Sequence, residues 1–265
     1  MRTLISFLAV FYAAVLSYGQ SVPMIHSHND YQKNVPFYMA YSCKAAVIEC
    51  DLHYIGDTFF VGHDASDVDS TRTFENMYLE PLVTIFRCNG GCAWINDPDR
   101  KITLMAEIKS PDSDAYVDAL EERLRAFPDV FDPDVNPHAC GILITGWNFP
   151  SHPEKYPSFF KYDYQYNGVD WGKVTADEFG RIGSVSMNFG ALSRWNGQGE
   201  FNDEERKAVR KVIDFAHSIG KPVRFWGAPD CEACWDMLVQ MGADYISTDH
   251  IDECTRHFDR QNINQ

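Results

Sequence analysis

Basic residues are scarce in this sequence: 23 Lys and Arg stand against 38 Asp and Glu, a formal net charge of −15 over 265 residues. So acidic a surface repels nucleic acid backbones and anionic lipid in bulk, which argues against nucleic acid as a partner. It leaves room for a local anion site built around a metal. Internal repeats, low-complexity tracts and linkers are missing. After residue 20 no apolar run approaches the roughly 20 residues that a membrane span needs, so no stable membrane anchor is expected. Cys231-Glu232-Ala233-Cys234 has no second Cys-x-x-Cys to complete a zinc site, and a structural disulfide or unpaired core cysteines outrank a zinc or redox pair. No glycine-rich phosphate turn follows the first predicted strand, which weighs against a doubly wound dinucleotide-binding sheet.

What is present is an ordinary globular chain. Apolar residues make up 45%, excluding global disorder and collagen-like structure. Met1-Arg2, the apolar stretch Leu4 to Leu16 and the small residues Ser17 and Gly19 have the layout of a secretory signal peptide over residues 1–20. The remaining residues 21–265 are expected to form one secreted, monomeric domain. All eight cysteines lie in that part, and an even set in an exported chain implies disulfides, with Cys88–Cys92 as a candidate small loop.

Strand and helix signals alternate. Strands are predicted at Val22–His28, Ala45–Leu52, Thr58–Gly62, Ile102–Lys109, Gly141–Thr145, Ser184–Phe189, Lys221–Trp226 and Ala243–Thr248. Helices are predicted at Pro36–Lys44, Asp114–Phe127, Cys231–Met241, and from the Asn202 cap to Gly220. Residues 65–100 read as an excursion over one face. Residues 146–183 are the weakest part of the count, and Trp147, Tyr162, Tyr164, Tyr166 and Trp171 within them are expected to line the mouth and set specificity. The alternation implies a parallel sheet with helices outside. A closed (β/α)8 barrel, which needs about 250 residues, uses nearly the whole chain.

The chemistry concentrates at strand ends. Side chains two apart on a strand share a face, so Val47, Glu49 and Asp51 point one way, and apolar Ile48, Cys50 and Leu52 the other. The apolar set packs under helices, and the carboxylates then face the C-terminal mouth, where barrel enzymes carry their sites. Two like charges buried there call for a cation between them, and oxygen donors suit one divalent Mg2+ or Ca2+. On the strand at 102–109, Met105, Glu107 and Lys109 share a face. Glu107 offers a third carboxylate, and Lys109 a phosphate contact or a neutralising partner. His26 and His28 end the first strand and His63 follows the short strand, giving candidates for a general acid and base. His53 has the right parity but reads as structural.

These residues resemble the glycerophosphodiester phosphodiesterase superfamily, the phospholipase C-like barrels. The resemblance rests on Glu49-Cys50-Asp51, Gly62-His63-Asp64, Ala106-Glu107-Ile108-Lys109, Phe225-Trp226 and Gly242 to Asp249, in the family order and over about residues 24–250. His26-Ser27-His28-Asn29-Asp30-Tyr31, with Pro36-Phe37 and Ala40, is similar to the branch typified by altered-inheritance-of-mitochondria protein 6. The family's usual His-Arg-Gly opening and its Glu-Asn-Thr triplet are not at their places. The spacing His26-x-x-Asn29 resembles the spider-venom phospholipase D branch and favours His26 over His28 as the catalytic histidine of the first strand.

The resemblance implies a phosphoric diester hydrolase acting on a glycerophosphodiester- or phospholipid-type substrate. It implies one divalent cation on Glu49, Asp51 and Glu107, and His26 and His63 as acid and base. His28, Asn29, Lys109 and Trp226 would contact the substrate. If a hydroxyl of the substrate attacks instead of water, the product is a cyclic phosphate. Two other readings are open: an amidohydrolase-type enzyme using His26-x-His28 with later histidines (His138, His152, His217, His250, His257), and a secreted barrel that binds without catalysis.

Overall fold

The computed structural model describes residues 23–263; the expected signal peptide lies outside the described residues. In chain order the strands are β1 Met24–Ser27, β2 Val47–Ile55, β3 Thr58–Val61, β4 Thr103–Ile108, β5 Gly141–Gly146, β6 Phe160–Gln165, β7 Ile182–Asn188, β8 Val223–Trp226 and β9 Tyr245–Thr248. The helices are α1 Tyr38–Ser42, α2 Glu80–Cys88, α3 Ser113–Arg125, α4 Pro128–Phe131, α5 Ala176–Arg181, α6 Asp203–Ser218, α7 Glu232–Met241 and α8 Ile251–Ile263. Every strand except β3 pairs in parallel with both neighbours, and β1 pairs with both β9 and β2, which closes an eight-stranded barrel. No helix among the described residues is long and apolar enough to cross a membrane.

Alternation along the strands builds two cores. Val47, Met105 and Leu143, with Tyr245 against them, fill the barrel lumen. Ile48, Cys50, Leu52, Leu104, Ala106, Ile108, Ile142 and Ile144 point outward into the much larger core under the helices. Each such aliphatic side chain contributes about 1.5–3 kcal/mol when fully buried, so a register slip of one residue would lose a whole layer. That preference fixes the direction of Glu49, Asp51 and Glu107: they take the lumen because their neighbours take the helix layer.

β2 runs past the barrel rim and turns back as a hairpin. Leu52, His53, Tyr54 and Ile55 pair antiparallel with Val61, Phe60, Phe59 and Thr58. The two-residue turn Gly56-Asp57 has φ of 55° and 65°, the positive pair that tight hairpins favour. β3 brings the chain back to the mouth, where the Gly62 N–H donates to the Asp51 carbonyl at 3.2 Å.

α6 is capped as its sequence predicts. The Asn202 side chain accepts from the backbone N–H groups of Glu204 and Glu205, both at 3.0 Å. Val209, Val212, Ile213 and Ala216 form the buried stripe.

Three elements depart from expectation. The weak stretch 146–183 holds the one barrel strand missing from the sequence count, β6. The excursion at 65–100 contains a π-helical turn, Glu75–Leu79, that leads into α2. Pro81 sits in the first turn of α2, where a missing N–H costs little. The chain also ends in a helix not foreseen: α8 packs on β1 and α1 and buries Ile251, Cys254 and Phe258. The expected Cys88–Cys92 bridge is not formed, and all eight cysteines are free. Cys88 is exposed at the end of α2, whereas Cys92 is buried with its thiol directed at the carbonyls of Asn89 and Trp94.

Candidate active site

The C-terminal mouth of the barrel holds a cleft of about 380 Å³. Strand ends and the loops after them line it: His28 and Asn29 after β1, Glu49 on β2, His63 after β3, Glu107 and Lys109 at β4, Thr145 to Trp147 at β5, Gln165 on β6, and Arg224, Trp226 and Gly227 at β8.

Glu49, Asp51 and Glu107 converge. Asp51 and Glu107 are register partners on adjacent strands, and one carboxylate oxygen of each of the three lies within 4.8 Å of the others. It is the one such group of potential metal ligands among the described residues. Lys109 Nζ lies 3.1 Å from Asp51 Oδ2 and 2.8 Å from Glu107 Oε1. The Tyr31 hydroxyl stands 2.9 Å from Asp51 Oδ2. Asp51 Oδ1 is buried with no hydrogen-bond partner. A buried, unpartnered carboxylate oxygen beside two further carboxylates fits a hard divalent cation such as Mg2+ or Ca2+.

Charge crowding shows in the ionisation of the cluster. Burial first, then the nearby Glu107 and Glu49 charges, push Asp51 up to about 7 in spite of Lys109. Glu49 moves the other way: burial opposes its charge, but the His26 contact and the charges of His28 and Arg224 outweigh burial and hold it below the usual carboxylate range.

The two histidines of β1 part company. His26 is fully buried beneath the cleft and does not line it. Its Nδ1 bonds Ser247 Oγ at 3.0 Å, while its Nε2 sits 2.9 Å from Glu49 Oε2 as a charge contact without hydrogen-bond geometry. Burial lowers its pKa, which leaves the ring neutral at pH 7. His28, one turn of the pleat further on, does line the cleft. Its Nδ1 lies 3.1 Å from Asp249 Oδ1, and its Nε2 lies 3.9 Å from Glu49 Oε1. Burial would lower its pKa, but the bond to Asp249 and the Glu49 charge raise it above the ordinary histidine value. Lys33 braces this corner, donating to the His28 carbonyl at 2.7 Å and pairing with Asp249 at 3.3 Å. His63 is half-exposed, with Nδ1 3.3 Å from Asp64 Oδ1.

Asn29 and Trp226 stand in the cleft wall. Asn29 has φ 47°, a left-handed conformation that asparagine tolerates, and its Nδ2 lies 3.2 Å from His28 Nδ1. The Trp226 indole N–H donates to Gln165 Oε1 at 3.1 Å, which fixes the ring plane. Below, buried Asp30 pins the loop after β1 by accepting from Ser27 Oγ, the Phe37 N–H and the Tyr78 hydroxyl. His53 stays in the hairpin, facing the Gly62 carbonyl at 3.1 Å.

Some expected residues are elsewhere. Of the aromatic set in 146–183, only Trp147 reaches the cleft; it is 86% exposed. Tyr162 and Tyr164 alternate outward from β6 and pack on Phe149, while Tyr166 and Trp171 pack on Phe215 of α6. The amidohydrolase pattern is not assembled among the described residues, where His28 and His63 are the only histidines lining the cleft. Two groups escaped the sequence reading although strand parity could have found them. Arg224 shares the inward face of β8 with Trp226, and Asp163 shares that of β6 with Gln165. Asp249, just past β9, carries no periodic signal.

The likeness to known proteins runs in the same direction. Residues 18–129 match the family model described as the AIM6-like phosphodiesterase domain. Residues 222–252 match the glycerophosphoryl diester phosphodiesterase family. Altered inheritance of mitochondria protein 6 of Eremothecium gossypii is 26% identical over 282 residues, covering 92% of this chain and 72% of that protein. A glycerophosphodiester phosphodiesterase from Parabacteroides distasonis superposes with a TM-score of 0.57 at 13% identity, covering 91% of this chain and 98% of the other. A calcium-dependent phosphoinositol-specific phospholipase C from a Pseudomonas species superposes with a TM-score of 0.55 at 12% identity, covering 88% of this chain and 90% of the other. Barrel, cleft chemistry and sequence likeness thus agree, and together they support a likeness to the glycerophosphodiester phosphodiesterase and phospholipase C-like superfamily, near the altered-inheritance-of-mitochondria protein 6 branch.

Proposed function

We propose that this protein is an exported, monomeric phosphoric diester hydrolase for a small glycerophosphodiester- or phospholipid-type substrate. Glu49, Asp51 and Glu107 would hold one divalent cation, Mg2+ or Ca2+, and His28 and His63 would carry the protons. The observation that supports this best is the meeting of three carboxylates, within 4.8 Å of one another, with two histidines along one cleft. A cation bound there would supply stabilisation of charge building on the phosphoryl oxygens.

The remaining chemistry falls to side chains of the cleft. A diester needs one proton removed from its attacking hydroxyl or water and one delivered to its leaving oxygen. His28 takes this role in place of His26, which is fully buried and does not line the cleft. Asp249 holds His28 Nδ1, fixing the ring so that Nε2 faces the cleft; it acts as a positioning residue. His63, brought in by the β2–β3 hairpin, serves the other proton. Each transfer is worth about a hundredfold or more. Asn29 and Trp226 bound the space for the organic groups, and Lys109 balances the carboxylate charge. With a substrate hydroxyl beside the phosphorus, the same groups give a cyclic phosphate.

The test is cleavage of a panel of glycerophosphodiesters, lysophospholipids and phosphoinositides by the purified protein, with and without chelator. Cleavage that chelation stops and added Mg2+ or Ca2+ restores is expected. Cleavage indifferent to chelation, or none across the panel, would refute the reading. Export is checked separately by sequencing the N-terminus of the protein from the culture medium, where a start close to residue 20 is expected.

A further inference from the structure

The cleft is to receive an anion, yet its walls are rich in carboxylate. Among the described residues lining it, the permanent cations are Lys109 and Arg224. The Lys109 ammonium is already shared between Asp51 and Glu107. Arg224 is differently placed. β8 stands diametrically across the barrel from β4, four strands away in either direction around the closed sheet. From there the guanidinium crosses the lumen toward β2, and its side chain is only 5% exposed.

One edge of that guanidinium is locked. Nε and Nη2 donate to Asp163 Oδ2 at 3.2 and 2.8 Å. Asp163 is itself held, by Thr145 Oγ1 at 3.3 Å on the same oxygen and by Ser184 Oγ on the other. The other edge is not used up. Nη1 has only a longer charge contact, 3.5 Å to Glu49 Oε2. A fork with one edge fixed and the other directed at the cleft floor, beside a carboxylate of the cation cluster, is a preorganised oxyanion donor.

Resting on the phosphodiester reading above, we propose that Arg224 is a phosphate ligand of this site, anchored by Asp163, and that Nη1 binds a non-bridging oxygen of the diester from the side facing Glu107. The alternative is that Arg224 merely neutralises Asp163 and Glu49. The two differ in what a paired replacement does. Removing the arginine alone strands a buried carboxylate and can unfold the barrel. Arg224→Met with Asp163→Asn removes both charges of the pair, so the barrel is kept.

The experiment measures inorganic phosphate binding to the full chain, with Mg2+ or Ca2+ present, by tryptophan fluorescence, together with KM and kcat for whichever diester is cleaved. Circular dichroism verifies the fold of each variant. For both Arg224→Met and the double variant, phosphate should bind at least about tenfold more weakly and KM should rise in step. Arg224→Lys should recover only part of this, because an ammonium cannot fork. In the double variant, cation affinity, read by titration, should stay within about twofold of the parent, because the paired replacement leaves the net charge unchanged and a phosphate ligand need not touch the cation. A folded double variant with parental phosphate affinity would overturn the proposal, even with diester cleavage intact. Should the parent cleave no diester while its phosphate binding still depends on Arg224, the reaction assignment fails and the anion site stands.

Discussion

Asp51 gives the sharpest quantitative expectation. Its carboxyl titrates near 7 in the folded chain, against an ordinary 3.8. A raised carboxylate pKa means that the folded state binds the proton more tightly than the unfolded state. The contribution to stability is therefore greatest below 3.8 and is lost as pH rises toward 7. At about 1.4 kcal/mol per pH unit, the full window costs about 4 kcal/mol, and the part between pH 5.5 and 8 about 2 kcal/mol. Asp51→Asn removes that slope while keeping the side chain's shape. Urea unfolding of both proteins at pH 5.5 and 8, in chelator, isolates the effect, because other titrating groups are common to both. The parent should lose about 2 kcal/mol more than the variant between the two pH values. Saturating Ca2+ or Mg2+ should restore the parent at pH 8 and do little for the variant, because a ligand that binds only the folded state stabilises it. Equal pH dependence of parent and variant in chelator would show that the three carboxylates do not crowd one another, and the cation site would lose its physical basis.

Four further outcomes follow from the same geometry. His28→Ala and His63→Ala should each lower kcat by about a hundredfold or more on an ordinary diester, and a very good leaving group should rescue one of them and not the other; rescue of both, or of neither, contradicts the acid–base pair. His26→Gln, tested alongside, should affect cation affinity more than it affects the leaving-group dependence of the rate, since His26 touches Glu49 and not the cleft. Asp249→Asn should reduce kcat with KM nearly unchanged and displace downward whichever limb of the pH–rate profile His28 controls, because the carboxylate raises the His28 pKa; an unmoved profile would remove Asp249 from the site. Asn202→Ala should cost about 1 kcal/mol in unfolding free energy with activity unaltered, which a thermal melt and an assay check together.

The sequence carries the barrel where apolar alternation is strong and goes quiet where function interrupts it. β2 and β4 declare themselves because their outward positions are unbroken runs of Ile, Cys, Leu and Ala, and the same runs force Glu49, Asp51 and Glu107 inward. β6 is obscured because both of its faces are polar or aromatic: Lys161, Asp163 and Gln165 inward, Tyr162 and Tyr164 outward. Its inward set is polar because it reaches the Arg224 and Trp226 side chains across the lumen, so the feature that hides the strand is the one that builds the cleft wall. The choice between His26 and His28 fails to resolve in sequence for a related reason. Parity puts both on the lumen face, and only depth along the barrel axis separates them. Depth is set by the pairing of β1 with β2 and β9, which aligns His26 with Val47 and Ser247. Val47 belongs to the packed lumen floor, so its partner His26 is committed to the interior. The next inward residue, His28, is lifted clear of that floor to the level where Asp249 and the cleft begin. A spacing motif read along one strand cannot supply that height; it comes from two other strands, both remote in sequence.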